Sequence, residues 1–151
     1  MLEKKYDISK TIGIARNIFD EIQTEFPSIK MILDEKHKHV ELNMDIPKQN
    51  GVIYEVNLNL QNYDELHLSV SNFWCEWFPC TDPAIALEFK NIVIGYLKGN
   101  NRILEFHNAK EAYKAKLQTF QDNKWKTIAT WSKIHWPFPL IKTKKIIINK
   151  K

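Results

Sequence analysis

Hydrophobic residues near the start of the chain repeat with the spacing of an amphipathic helix. At about 100° per residue, one narrow stripe collects several large apolar side chains. These are Ile8, Ile12, Ala15, Phe19, Ile22 and Phe26. Asp7 or Ser9 can cap the free amides at the start, and Pro27 disfavours helical geometry in the residue before it. The pattern predicts a first helix that buries this stripe.

A second amphipathic helix is predicted between Asp82 and Gly99. Asp82 can cap it, Pro83 suits the first helical position, and Gly99 lies just past the end. Its main stripe consists of Ile85, Phe89, Ile92, Val93, Tyr96 and Leu97. Leu87 and Ile94 lie on the opposite side, so a second apolar face needs a cover. The candidates are the C-terminal segment, the first helix and another copy of the chain.

Between the two helices, apolar and polar residues alternate as in half-buried strands. The apolar positions are Val40, Leu42, Met44 and Ile46, then Tyr54, Val56, Leu58 and Leu60, then Leu66, Leu68 and Val70. A turn cluster at residues 47–51 separates the first two runs. The pattern of residues 28–38 fits either a strand or an extension of the first helix, and we favour a short strand and a turn. Three antiparallel strands are therefore expected to share one apolar face.

Matching the apolar positions across the two loops predicts the register of these strands. The first two strands are expected to pair Ile46 with Val52, Met44 with Tyr54, Leu42 with Val56 and Val40 with Leu58. The next two are expected to pair Leu60 with Leu66, Leu58 with Leu68 and Val56 with Val70. The opposite face is then polar, in the rows His39–Asn59–His67, Glu41–Asn57–Ser69 and Asn43–Glu55–Ser71.

An aromatic block at residues 73–78 follows the third of these strands. If that strand continues, Trp74 points to the core, whereas Phe73, Cys75 and Trp77 point to the polar face. Core packing is one explanation of the block. The other is an exposed aromatic patch beside the polar rows, which is the composition of a binding hot spot.

Strand signals resume after Gly99, where Leu104 and Phe106 alternate with Ile103, Glu105 and His107. A hairpin with a three-residue loop at residues 121–123 is predicted, because this loop gathers the bulky groups on one face. It pairs Tyr113 with Trp131, Ala115 with Ala129, Leu117 with Thr127 and Thr119 with Trp125. Residues 146–148, flanked by lysines, are expected to form a short edge strand.

These elements predict an α+β fold in one domain over residues 1–151. Its order is helix, three strands, helix, three strands, in one antiparallel sheet or two joined sheets with both helices on one face. Residues 133–151 are expected to form a proline- and aromatic-rich, then lysine-rich segment that lies on the body. The two prolines within residues 135–141 exclude a regular helix or a central strand there.

The net charge of +4 is concentrated at the C-terminus. Residues 133–151 contain six lysines and no acid, so residues 1–132 carry 16 basic and 18 acidic groups. A basic stripe on the folded body is typical of nucleic-acid-binding proteins, so this distribution disfavours that function. No apolar run is long enough for a membrane helix or a secretion signal. Together with only two cysteines, this favours a cytoplasmic protein with free thiols.

Metal-binding and catalytic motifs are absent from the sequence. Cys75 and Cys80 have no second close-spaced pair to complete a zinc site, so neither a metal nor a cofactor is expected. A hydrolase site using His39, His67 and Cys75 can be assembled on paper. Because a small cysteine beside aromatics is more often a packing residue, the sequence favours a protein that is not an enzyme.

Two aromatic segments carry a resemblance. Residues 72–79 (NFWCEWFP) and residues 129–139 (ATWSKIHWPFP) are similar to stretches of small uncharacterised bacterial proteins. The resemblance implies a bacterial source and no assigned activity, and it transfers no catalytic residue.

The favoured function is a small cytosolic bacterial protein-binding module, comparable in size and architecture to immunity proteins or secretion chaperones. Its binding surface is predicted to be the polar sheet face with an aromatic edge. The residues are Glu41, Asn43, Glu55, Asn57, His67, Ser69, Glu76, Trp77 and Phe78. The expected partner is another protein, with a homodimer through Leu87 and Ile94 as a further hypothesis. The alternative function is the small hydrolase with His39, His67 and Cys75.

Overall fold

The computed structural model describes residues 7–133 and 142–149. These residues form two helices and nine strands in two antiparallel sheets, which confirms the α+β class. In chain order the elements are α1 (Ile8–Glu25), β1 (Ile32–Asp34), β2 (Leu42–Ile46), β3 (Val56–Gln61), β4 (Glu65–Val70), β5 (Phe73–Trp77), α2 (Pro83–Lys98), β6 (Asn101–His107), β7 (Ala112–Gln121), β8 (Lys124–Ser132) and β9 (Thr143–Ile147). The strand predicted within residues 28–38 is β1, and the predicted C-terminal edge strand is β9.

Both helices have the predicted boundaries. The Asp7 carboxylate accepts a hydrogen bond from the backbone amide of Lys10 (3.3 Å), and the Asp82 carboxylate accepts one from Ala84 (2.9 Å). Gly99 ends α2 with a φ of +81°, in the left-handed region. A β-carbon on Gly99 would lie 2.4 Å from the carbonyl oxygen of Asn149. Glycine is therefore required here by both conformation and space.

The first sheet has the strand order β1-β2-β3-β4-β5. The predicted register of β3 against β4 is confirmed, with Leu58 opposite Leu68. The predicted register of β2 against β3 is wrong by four residues, because Leu42 lies opposite Leu60 rather than Val56. The loop is longer than expected: a bridge between Gln49 and Val52 closes a small turn inside it. His39 and Glu55 consequently lie outside the strands.

The first sheet also contains a strand that the sequence analysis did not separate. The chain reverses at Ser71 (φ +53°) and Asn72, so that β5 runs back along β4 with Phe73 opposite Val70. A two-residue turn keeps the residues on either side of it on the same face of a hairpin. The predicted orientation of the aromatic block is therefore wrong: Phe73 points to the core and Trp74 points outward.

The second sheet has the strand order β8-β7-β6-β9. The β7–β8 hairpin turns through Asp122 and Asn123, both with positive φ, so the loop has two residues rather than the predicted three. A register shift after Leu117 then places Leu117 opposite Ala129, where Thr127 had been predicted. Gln121, which we assigned to the loop, pairs with Lys124 in the strands, and the bulge lies at Ile128 of β8.

One hydrophobic core lies between the helices and the inner faces of both sheets. Phe19 and Ile22 of α1 and Phe89 and Tyr96 of α2 are fully buried or nearly so. Ion pairs between the helices join Lys90 to Glu21 and Lys98 to Glu25, each at 2.8 Å.

The second apolar side of α2 is only partly covered by the described residues. Ile94 is half-buried and lines a groove beside α1, whereas Leu87 is 51% exposed. The aromatic segment at residues 135–141 lies outside the described residues, and so does its predicted position across the body.

A fully buried carboxylate joins the two sheets. Glu105 of β6 is 0% exposed and faces the β4–β5 turn of the first sheet. Its Oε2 accepts hydrogen bonds from the Asn72 backbone amide (3.1 Å), the Asn72 side-chain amide (2.7 Å) and the Ser71 hydroxyl (3.2 Å). His107 Nε2 lies 3.5 Å from Oε1, beyond hydrogen-bond geometry. Three donors of an exposed turn thus satisfy a carboxylate that would otherwise be buried without hydrogen-bond partners.

Replacing Glu105 by Gln should lower the free energy of unfolding by about 2–3 kcal/mol, because the new amide group places a buried donor against the donors of the turn. Urea denaturation measures this change. Glu88→Gln is the matched control: Glu88 is exposed on α2, and its variant should stay within about 0.5 kcal/mol of the wild type. Equal stability of the two variants would contradict a structural role for the Glu105 carboxylate.

Candidate functional site

The outward face of the first sheet collects most of the predicted binding residues. We call it the acidic face and define it by the strand residues Asp34, Asn43, Asp45, Asn57, Asn59, Gln61, Glu65, His67, Ser69, Trp74 and Glu76. The strand register orders these side chains in two rows, Asn43–Asn59–His67–Glu76 and Asp45–Asn57–Ser69–Trp74. The predicted rows are replaced by these two, because β2 pairs four residues further along β3.

Side-chain amides on this face form a connected hydrogen-bond network. Asn59 Nδ2 donates to Asn57 Oδ1 (2.8 Å), and Asn57 Nδ2 donates to Asn43 Oδ1 (2.8 Å) and Asp45 Oδ1 (2.7 Å). Asn43 Nδ2 donates in turn to Asp45 Oδ2 (3.3 Å). The series of hydrogen bonds ends at the Asp45 carboxylate. The network therefore holds four side chains in fixed positions before a partner binds.

His67 lies at the centre of the acidic face and is held on three sides. It is 5% exposed, and the Trp74 ring stacks on it with a centroid distance of 5.5 Å and an interplanar angle of 14°. Its Nε2 lies 3.1 Å from Glu65 Oε2, and its Nδ1 lies 2.8 Å from Gln61 Nε2. A neutral imidazole with the proton on Nε2 satisfies both contacts, since Nδ1 then accepts from the Gln61 amide.

Glu65 completes this cluster. Its Oε2 accepts a hydrogen bond from Asn62 Nδ2 at 2.7 Å. This bond, with a smaller contribution from His67, lowers the pKa of the Glu65 carboxyl despite partial burial. The carboxylate therefore stays charged under neutral conditions and adds to the negative charge of the face.

Two buried acceptors at the acidic face have no donor among the described residues. They are Glu41 Oε2, just before β2, and Asn59 Oδ1 in β3. The other carboxylate oxygen of Glu41 accepts only a long hydrogen bond from the Tyr63 backbone amide, at 3.4 Å. Buried acceptors are almost always paired in folded proteins. Both atoms have almost no solvent-accessible surface, so a donor from a partner reaches them only if a neighbouring side chain moves.

Glu55 contributes to the edge of the face rather than to its rows. It lines an open depression of about 490 Å³ with Asp45, Asn57 and Ser69, next to the Ser71 turn. The predicted pairing of Glu55 with Asn43 is wrong, because Glu55 precedes β3 and Asn59 occupies that position.

The aromatic edge of the face contains one of the two predicted residues, Phe78, together with Trp74 in place of Trp77. Trp77 is 8% exposed and packs edge-on against Phe89 of α2, with 5.5 Å between the ring centroids, so it belongs to the core. Phe78 is 54% exposed, as predicted for a surface aromatic, and Trp74 is 45% exposed. The sequence feature that could have predicted the outward orientation of Trp74 is the Ser71–Asn72 pair, because Asn is favoured in turns. A two-residue turn there places Trp74 on the face opposite to the one expected for a continuous strand.

The three candidate catalytic residues do not come together. His67 is on the acidic face, Cys75 is on the core side of β5, and His39 precedes β2 with its ring 5.8 Å from that of His37. Burial raises the pKa of the Cys75 thiol, and the nearby Glu76 charge adds to this effect. Both effects oppose the thiolate that a cysteine nucleophile requires. The geometry does not support the hydrolase alternative.

The described residues contain neither a metal-binding cluster nor a membrane-spanning helix. Among residues 7–133 and 142–149, no group of three or more His, Cys, Asp or Glu side chains is arranged to hold a metal ion. Within those residues neither helix combines the length and the apolar character that crossing a membrane requires.

The burial of Cys80 and the partial burial of Cys75 predict slow thiol chemistry. Burial raises the pKa of Cys80 to about 11, which leaves about 100-fold less thiolate at neutral pH than an unperturbed thiol. Titration with an aromatic disulfide reagent should label both thiols slowly in the native protein and rapidly in denaturant, with Cys75→Ser identifying each signal. Fast labelling of native Cys75 near neutral pH would revive a nucleophilic role.

Comparison with known proteins finds no relative of this chain. No protein-family model matches the chain, and neither the curated proteins nor the solved structures contain a detectable match.

Proposed function

We propose that this chain is a small cytosolic bacterial protein-binding module, of the immunity- or chaperone-like kind, that binds its partner through the acidic face. The observation that carries the proposal is a half-exposed tryptophan, Trp74, stacked on the buried His67 of a face with unsatisfied acceptors. An aromatic anchor beside such acceptors matches the anatomy of protein interfaces, in which Trp and Tyr supply most of the binding energy.

Charge indicates what kind of protein would bind. The strand positions of the acidic face contain Asp34, Asp45, Glu65 and Glu76, and no lysine or arginine. Glu41 and Glu55 add two carboxylates at its borders. Electrostatic complementarity then favours a basic partner segment.

The amide network supports binding by lowering its entropic cost. Asn43, Asn57 and Asn59 are already held by side-chain hydrogen bonds, so a partner need not immobilise them. Long flexible side chains would lose more rotamer freedom on association. The aromatic edge is equally simple to order, because Trp74 and Phe78 each have only two side-chain torsions.

A homodimer through α2 is the second partner hypothesis. Leu87 is 51% exposed, and Ile94 retains partial exposure in the groove beside α1. We keep it secondary to the acidic face, since one exposed leucine and one half-buried isoleucine form a small apolar contact compared with the area of a stable interface.

The double variant Trp74→Ala with Phe78→Ala should abolish partner capture while leaving the protein folded. Loss of an aromatic hot spot costs at least about 2 kcal/mol, which corresponds to a roughly thirtyfold weaker complex. The experiment is quantitative affinity capture from the native host, followed by calorimetry with the captured protein. We expect that protein to be basic at the bound segment.

A matched control removes two exposed apolar side chains from the second sheet. Phe120 and Ile128 are 53% and 44% exposed, and their double alanine variant should retain full capture. Thermal denaturation monitors folding of both variants. The proposal fails if the Trp74 and Phe78 variant captures the same protein as strongly as the wild type, or if capture is lost equally in the control.

A further inference from the structure

The outward face of the second sheet has the opposite chemical character. We call it the basic face and define it by the cations Arg102, Lys114, Lys116 and Lys144 and the rings Phe106, Phe120 and Trp125. Strand register places them together: Phe106 lies between Lys114 on β7 and Lys144 on β9, and Phe120 lies opposite Trp125. The inward positions Ile103 and Glu105 alternate with them along β6.

Three lysines converge on a single aromatic ring of this face. The ammonium groups of Lys114, Lys116 and Lys144 lie 4.9, 5.5 and 5.5 Å from the centroid of Phe106. Like charges held this close repel one another, and only part of that cost is offset by the ring. The arrangement therefore favours an anion that would lie among the three lysines.

Arg102 extends the positive charge to the other end of the face. Its guanidinium lies 4.3 Å from the centroid of the Trp125 ring, and its Nε donates to Gln118 Oε1 at 2.9 Å. These contacts fix the plane of the guanidinium and leave its terminal nitrogens for a phosphate.

No acidic side chain neutralises the basic face within the part of the chain that the structure describes. Every strand position on this side of β6 to β9 is basic, aromatic, aliphatic or an uncharged polar residue. None of the four cations forms an ion pair with a described carboxylate. The positive potential of the face is therefore not cancelled locally.

The aromatic rings of the basic face indicate which class of anionic ligand fits it. Phe120 is 53% exposed, and its ring lies 5.1 Å from that of Trp125, with Arg102 beyond. An acidic protein or an anionic lipid surface would satisfy the cations without needing flat rings between them. Unpaired bases need both, because they stack on aromatic side chains while their phosphates contact cations.

We propose that the basic face binds single-stranded nucleic acid. The phosphates contact Lys114, Lys116, Lys144 and Arg102, and the bases stack on Phe120, Trp125 and Phe106. The lysine ends move from the Phe106 ring to the phosphates and leave that ring to a base. The net charge of residues 1–132 does not reveal this face, because Arg102, Lys114 and Lys116 are balanced in that sum by the acidic residues of the first sheet, and Lys144 lies in the C-terminal segment.

The test measures fluorescence anisotropy of labelled oligothymidylate and oligouridylate of about 12 nucleotides with the full chain. Four phosphate contacts predict a slope of about −3 for the logarithm of the association constant against the logarithm of salt concentration. The triple variant Lys114→Gln, Lys116→Gln, Lys144→Gln should bind at least tenfold more weakly. It should also bring the slope to about −1, because each lost phosphate contact reduces the magnitude of the slope by about 0.7.

Two further variants separate the contributions of charge and stacking. The control Lys30→Gln, Lys36→Gln, Lys48→Gln removes the same charge from exposed positions flanking the first sheet, and its affinity should stay within twofold of the wild type. Phe120→Ala with Trp125→Ala should weaken binding at least fivefold with an unchanged salt slope, since no phosphate contact is lost. Thermal denaturation verifies that each variant is folded.

Four outcomes of the oligonucleotide measurements would overturn the proposal. They are no binding of either oligonucleotide by the wild type at low salt, equal losses in the two triple lysine variants, an unchanged salt slope in the basic-face variant, and full affinity in the aromatic variant. Binding to polyglutamate or phosphatidylserine vesicles as tight as to the oligonucleotides would assign the face to acidic proteins or membranes instead, and would equally overturn it.

Discussion

The buried carboxylate of Glu105 is the interaction on which the arrangement of the two sheets depends. It comes from the second sheet and accepts hydrogen bonds from both residues of the β4–β5 turn in the first. Apolar packing is non-directional and would tolerate sliding of one sheet against the other. A buried acceptor with three directed donors does not, because any displacement leaves polar groups unpaired.

Joining the sheets by their inner faces leaves each with one face outside, and the charges are sorted between these two surfaces. The acidic face combines four strand carboxylates with an amide network, whereas the basic face combines four cations with three rings. A chain whose first 132 residues are nearly neutral in sum thus presents two oppositely charged surfaces. Such sorting gives the two faces electrostatic potentials of opposite sign at little cost in self-repulsion.

Local signals account for the features that were predicted correctly. The caps at Asp7 and Asp82 and the glycine at Gly99 act within one turn of helix, so they set the boundaries of both helices. The register of β3 against β4 follows from alternation and a short connection. The β2–β3 register does not, because the loop is held by Gln49, whose side chain bonds the distant backbone of Lys30. A contact of this kind between distant residues does not affect the periodicity of the sequence.

The sequence by itself determined the α+β class, both helices, the alternation of the strands and most members of the acidic face, because periodicity and capping are properties of neighbouring residues. Only the tertiary structure decided that Trp74 is outside and Trp77 inside, since one turn at Ser71 and Asn72 reverses the side of every residue after it. It also decided which cations share a surface. Lys114 and Lys144 are thirty residues apart and meet only because β7 and β9 flank the same strand, β6.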